Sequence, residues 1–168
     1  MKRLYAPWRH NYVTKIPKDV VSTKTESGDC VFCNQVAAGT DDTFFILKRL
    51  KNCFVMMNLY PYSVGHVMVL PYAHKPDLIE LDVDVRAEMM DVVTLATHVM
   101  TEVLHAKGFN IGINLGIAGG GGIPSHVHIH VLPRWRGDTN FLETIGQVKL
   151  LSGDFEKTFQ VLKAGFEK

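Results

Sequence analysis

Residues 126–131 read HVHIHV, placing three of the chain's 8 histidines at alternate positions of one apolar segment. Side chains of an extended strand alternate between its faces, so His126, His128 and His130 share one face while Val127, Ile129 and Val131 share the other. The aliphatic set predicts a strand over 126–132 backed onto a core, with the imidazoles in a row on the opposite face. Histidine has no special strand propensity, which makes a chance polar face the weaker reading. Two chemistries suit such a row. His-x-His on a strand is a geometry that catalytic zinc uses. A neutral imidazole also attacks an activated phosphoryl group when one ring nitrogen carries a hydrogen held by a carbonyl or another base. The run GIAGGGG at 116–122 opens onto the histidines. Without Cβ atoms, its backbone N–H groups, those of Gly121 and Gly122 among them, are able to converge on an anion.

Working outward, TFFILKRL (43–50), CFVMMN (53–58) and HVMVLP (66–71) are strand-like runs separated by turn signals at Lys51-Asn52 and Pro61 to Gly65. Between 84 and 107, Val85, Met89, Val92, Ala96, Val99 and Val103 recur at helical spacing, with Asp82 or Asp84 as N-cap and Gly108 as stop. FNIGINL (109–115) is a further strand, and a second helix from about Asp154 to Phe166 presents Phe155, Phe159, Leu162 and Phe166. The fold class is therefore α+β: an antiparallel sheet of about five strands with helices on one side. Residues 1–29, with Pro7, Pro17 and the polar run STKTESGD, read as an N-terminal arm.

The 168 residues fit one domain of the usual roughly 100–200. A formal charge of +1, from 18 basic and 17 acidic side chains, makes no electrostatic case for nucleic acid or a membrane surface. The apolar runs fall far short of the roughly 20 residues that span a bilayer. The start, MKRLYAPWRHNYV, lacks the apolar core of a secretory signal, so a cytoplasmic protein is expected. Cys30, Cys33 and Cys53 make an odd count, which argues against a disulfide framework. The C-V-F-C pair points to metal or redox chemistry; thioredoxin-like chemistry is the weaker reading because no βαβ pattern adjoins it. A tetrahedral site completed by two histidines would be closed, hence structural, and would leave a histidine of the row free for chemistry.

HVHIHVLPR resembles the His-x-His-x-His-x-x signature of the histidine-triad superfamily of nucleotide hydrolases and transferases. MNLYPYSVGHVMVLPYAH is similar to that family's ribose-contact segment and Gly-His strand, and CVFC to the zinc knuckle of its bacterial members. APWR near the start and PRWRGDTNF after the triad look like the bacterial branch similar to diadenosine tetraphosphate phosphorylase, also called ATP adenylyltransferase. The resemblance implies a domain core over residues 30–135, followed by a C-terminal extension with a helix over 136–168. It implies that His128 is the nucleophile that becomes adenylylated, that His130 bonds a phosphate oxygen and that His66 stands behind the triad. Asn58 would contact the ribose, Asn114 the phosphates or leaving group, and Gly121, Gly122 and Ser125 the substrate. Cys30, Cys33, His74 and His126 would hold a structural Zn2+. A homodimer paired through the long helix and an edge strand is also implied. One position departs from the pattern: many hydrolases of the family carry Ser or Thr three residues before the first triad histidine, where this chain has Ile123.

The function expected is nucleotidyl transfer from dinucleoside polyphosphates, with phosphorolysis of diadenosine tetraphosphate to ATP and ADP favoured. The alternatives are a diadenosine polyphosphate or nucleoside phosphoramidate hydrolase, or a low-turnover nucleotide-binding protein. Uridylyl transfer is disfavoured because that branch has Gln where this chain has His130. His98 and His105 are read as solvent or dimer-surface residues, Cys53 as a buried strand residue, and Met56, Met57, Met68, Met89 and Met90 as packing. Arg134 and Arg136 suit either a polyphosphate tail or a solvated loop, and Asp138 and Asn140 either an acceptor site or a turn.

Overall fold

The elements run α1 (Val31–Ala37), α2 (Asp41–Phe44), β1 (Ile46–Arg49), β2 (Cys53–Met57), β3 (Val67–Pro71), a 3-10 turn (Leu78–Glu80), α3 (Val83–Leu104), β4 (Gly108–Ile113), β5 (Ile129–Arg134), α4 (Phe141–Thr144) and α5 (Phe155–Glu167). The computed structural model describes residues 30–168; the arm expected over 1–29, with Trp8, Arg9 and His10, lies outside the described residues. All neighbouring strands pair antiparallel, in the order β1-β2-β3-β5-β4. The α+β sheet read from the sequence is thus the observed one.

Every residue of β2 and β3 is buried, so both faces of the sheet's centre require cover. On one face Val55, Met57, Val67, Val69, Ile129 and Val131 pack against Met89, Val92 and Ala96 of α3 and Phe159, Leu162 and Phe166 of α5. On the other, Phe54, Met56, Met68 and Leu70 meet Phe32 of α1, Phe44 of α2 and Cys30. Helices therefore lie on both sides, where the sequence reading placed them on one. The signal was the unalternating run CFVMM, which cannot be half solvated. The second face is the one that carries the site.

Two segments depart from their expected form for local reasons. Residues 41–44 form a helical turn, because Phe45 takes a left-handed backbone (φ 58) and its N–H closes onto Asp42 O. That turn aims the Phe45 ring edge-on at Phe155 and Phe159, centroids 4.8 and 5.2 Å away, and packing outweighs the strand propensity of TFFI. The strand expected over 126–132 begins only at Ile129: His126 N–H closes a turn onto Ile123 O at 3.3 Å, and Val127 N–H donates to Lys75 O at 2.7 Å instead of joining the ladder. The bond to Lys75 O draws the segment holding His74 alongside His126. The long helix ends at Leu104 with His105 left-handed (φ 54), three residues before the glycine expected to stop it. No helix among the described residues is long and apolar enough to cross a membrane.

Candidate active site

On the face covered by α1 a cavity of about 280 Å³ opens between that helix, β2, β3 and the triad segment. Val31, Phe32, Met56, Met68 and Ile123 supply apolar walls, while Gln35, Asn58, Asn114, His128 and His130 supply polar groups. Tyr60, Tyr62 and Gly122 also line it.

The three triad histidines are distinguished by what holds each ring. A carbonyl only accepts, so His128, whose Nδ1 lies 2.8 Å from His126 O, carries its hydrogen on Nδ1. Its Nε2 is left with a lone pair. His126 has the opposite tautomer: Nε2–H donates to Pro71 O at 2.9 Å and frees Nδ1. His130 is set at one remove. Tyr62 N–H donates to His66 Nδ1 at 3.1 Å, and the Asn58 amide approaches the same nitrogen at 3.4 Å, oriented by Tyr60 N–H donating to Asn58 Oδ1 at 2.9 Å. His66 must then carry its hydrogen on Nε2, which donates to His130 Nδ1 at 3.0 Å. That leaves His130 with an Nε2–H beside the Asn114 amide, 3.5 Å away.

The chain of bonds requires neutral rings, and the surroundings keep them so. Burial, reinforced by His130 and His128, pushes His66 down to about 3. Burial, with His128 beside it, takes His130 down to about 4. His128 is lowered as well, by burial, against the opposing bond to His126 O. Phe32 presents its ring edge to both His126 and His128, with centroids 5.6 and 5.3 Å apart.

Cys30, Cys33, His74 and His126 offer ligand atoms that all lie within 4.8 Å of one another. Cys30 Sγ and His74 Nδ1 each stand 3.4 Å from His126 Nδ1, and Cys33 Sγ stands 3.5 Å from His74 Nδ1 and 3.6 Å from His126 Nδ1. Two soft sulfurs and two imidazoles converging on one point form a donor set able to hold a metal ion. Cys30 precedes the first turn of α1 and Cys33 lies within it, so the C-x-x-C spacing turns both sulfurs to one side. The cluster ties α1, and with it one wall of the cavity, to the triad segment.

Other predicted positions fall apart from the cavity. Gly122 lines it, but Gly121 N–H donates to Gly116 O and Gly120 N–H to Ile117 O, so much of the loop closes on itself. Ser125 is exposed and outside the lining. Arg134 Nε and Nη2 grip Asp138 at 2.6 and 2.8 Å, and that bonding holds the Asp138 carboxyl well below the usual carboxylate range. Asn140 caps α4 by accepting from Leu142 N–H, so this stretch is occupied with local structure. His98 and His105 are exposed and Cys53 is buried, as read. Sequence reasoning missed Gln35 and the Tyr62 amide. A backbone donor has no sequence signature, and a lone Gln in a short helix carries little.

Fold and site together define an α+β protein that presents an imidazole lone pair to a cavity beside a Cys/His cluster. The chain belongs to the histidine-triad family: residues 38–137 match the HIT domain. It is similar to AP-4-A phosphorylase of Mycobacterium tuberculosis, 36% identical over 151 residues that cover 90% of this chain and 77% of that protein. An adenylylsulfatase of Arabidopsis thaliana is 31% identical over 118 residues, covering 70% of this chain and 58% of that one. Among solved structures, a Zn-bound histidine triad family protein from Mycobacterium smegmatis superposes with a TM-score of 0.70 at 29% identity, over 84% of this chain and 95% of that one.

Proposed function

We propose that the chain transfers an adenylyl group from a dinucleoside polyphosphate through His128, favouring phosphorolysis of diadenosine tetraphosphate to ATP and ADP. The observation that carries this is the bond from His128 Nδ1–H to His126 O at 2.8 Å, which points an unprotonated Nε2 at the cavity. That nitrogen attacks the α-phosphorus, the bond to the bridging oxygen breaks, and ATP leaves. His130 Nε2–H donates to a non-bridging oxygen as charge gathers there. An oxygen of inorganic phosphate then attacks the adenylyl phosphorus, the P–N bond breaks, and ADP forms. His66 is a positioning residue that keeps His130 in its donating tautomer. Asn58 serves the ribose with the bonding capacity left over from Tyr60 and His66, and Asn114 and Gly122 face the phosphate tail.

The identity of the similar mycobacterial phosphorylase supports the choice of substrate. So does Ile123 in the cavity wall, with Ser125 outside the lining: neither offers a proton to a departing amine. A polyphosphate departs as an anion and needs none, which disfavours phosphoramidate hydrolysis. The Cys/His cluster we assign to structural Zn2+. Zinc with two nitrogens near 2.0 Å and two sulfurs near 2.3 Å separates its donors by about 3.3–3.6 Å across N–N and N–S edges. The spacings of 3.4–3.6 Å support that assignment. When bound, the ion supplies a cross-link, and the chemistry stays with the histidines.

We also infer a cytoplasmic homodimer, with 30–135 as core and 136–168 as extension, acting on nucleotides and on neither nucleic acid nor membranes. The edge position of β4 and its half-exposed Ile111 support the pairing. The test is turnover of diadenosine tetraphosphate with and without labelled inorganic phosphate. Label entering the β-phosphate of ADP is expected; AMP as the product in the presence of phosphate would replace phosphorolysis by hydrolysis.

A further inference from the structure

Val31 and Gln35 of α1 are four residues apart and reach the cavity from the same side of the helix. Gln35 is 5% exposed, and its Oε1 is buried with no hydrogen-bond partner among the described residues. Buried polar atoms without partners are rare enough to require a reason. The lining holds donors at Asn58, Asn114, His128 and His130, but among the described residues none of them bonds to Gln35 Oε1, and Met56, Met68 and Ile123 carry no donor. A bound group with a donor can satisfy it.

We propose that Gln35 reads the base of the bound nucleotide and makes the cavity selective for adenine over guanine. This rests on the reading that the cavity holds a nucleotide with its α-phosphate at His128. A carboxamide presents an acceptor and a donor side by side. The exocyclic amino group of adenine and its neighbouring ring nitrogen present the complementary donor and acceptor, the pairing by which Gln reads adenine in nucleic acids. Guanine places two acceptors, O6 and N7, along the corresponding edge, and one of them must face the amide oxygen unpaired. A site built to bond an amino group rejects the analogue without it more strongly than an apolar pocket rejects a shape. Phe32 and Met68 line the same cavity and carry no polar side-chain atom that would tell one base from another.

The test is calorimetric titration of the metal-replete protein with AMP, GMP and purine riboside 5′-monophosphate, which is AMP without the amino group. The wild type is expected to bind AMP about ten- to a hundredfold more tightly than either of the others. Gln35→Met, similar in length and apolar, should bind all three alike, at the weaker level, with metal content and melting temperature retained. Equal affinity of the wild type for AMP and purine riboside monophosphate overturns the proposal, as does a variant that still discriminates. If the variant fails to fold, the comparison of ligands on the wild type decides the matter alone. Loss of phosphorolysis with the base preference intact would remove the proposed reaction and leave Gln35 as the reader. Phosphorolysis without base preference would do the reverse, and no nucleotide binding at all would remove both.

Discussion

The substitution His66→Leu isolates the chain of bonds that sets the His130 tautomer. His66 is wholly buried and serves three partners: it accepts from Tyr62 N–H, lies beside the Asn58 amide and donates to His130 Nδ1. Tyr62 is 50% exposed, so its N–H turns to water when the imidazole is lost. The Asn58 amide and His130 Nδ1 are buried and are left unpaired, at about 1–3 kcal/mol each. His66→Leu therefore destabilises by about 3 kcal/mol, a fall in Tm of roughly 10 °C for a domain of this size. The rate falls for a separate reason: without a donor at Nδ1, His130 divides between tautomers, and the form lacking Nε2–H cannot stabilise the phosphoryl oxygens. Losing one such donor outright costs about 10²–10³ in kcat, so a mixture costs roughly tenfold or more. His66→Gln restores one acceptor and one donor to the same partners and should recover much of both losses. The assay pairs calorimetric Tm and kcat with the nitrogen NMR shifts of His130, which report its tautomer directly. If His66→Leu leaves His130 protonated on Nε2 and the rate unchanged, the tautomer reasoning is refuted.

His128→Gly should abolish the adenylylated species seen by intact mass after mixing with substrate while AMP still binds; turnover that survives it removes the imidazole from the chemistry. Cys33→Ser, or prolonged chelation, should lower bound metal from about one equivalent to near zero and strip hydrogen-exchange protection from α1; unchanged protection over residues 31–37 would show that other contacts hold the helix. Stability should fall on acidification. His66 and His130 titrate near 3 and 4 in the folded state, against about 6.5 unfolded. The unfolded chain thus takes up protons that the folded rings refuse, and stability present above pH 6.5 drains by about 1.4 kcal/mol per pH unit per ring as pH falls toward 4. Urea midpoints at two pH values, compared with His66→Gln so that the metal cluster is common to both, measure this; equal slopes for the two proteins contradict it. Phe159→Ala, whose ring is buried between Phe45 and the main core, should cost about 3–5 kcal/mol in urea unfolding; a smaller loss would mean that α5 is loosely docked.

Much of the fold was legible because its signals are local. Alternation in HVHIHV placed the histidines on one face, the spacing of Met89, Val92 and Ala96 announced the long helix, and C-x-x-C turned two sulfurs the same way. What stayed hidden depends on parts distant in sequence. The cover on the second face required the doubly buried β2 and β3 to be recognised as such, and the turn at 41–44 answers to Phe155 and Phe159 more than a hundred residues away. The glycine run suggested an anion cradle, yet its Gly120 and Gly121 amides close onto Ile117 and Gly116. Arg134 was open to either role until Asp138 came within 2.6 Å.

By itself the sequence determined which residues share a face, because backbone geometry imposes a period of two on any strand. It could not determine how three chemically identical imidazoles differ. A ring's tautomer is decided by its hydrogen-bond partner, and those partners are Pro71 O for His126, His126 O for His128, and for His130 the amide of Tyr62 acting through His66. Most are backbone groups, which every residue carries alike, so only the tertiary structure brings them within reach.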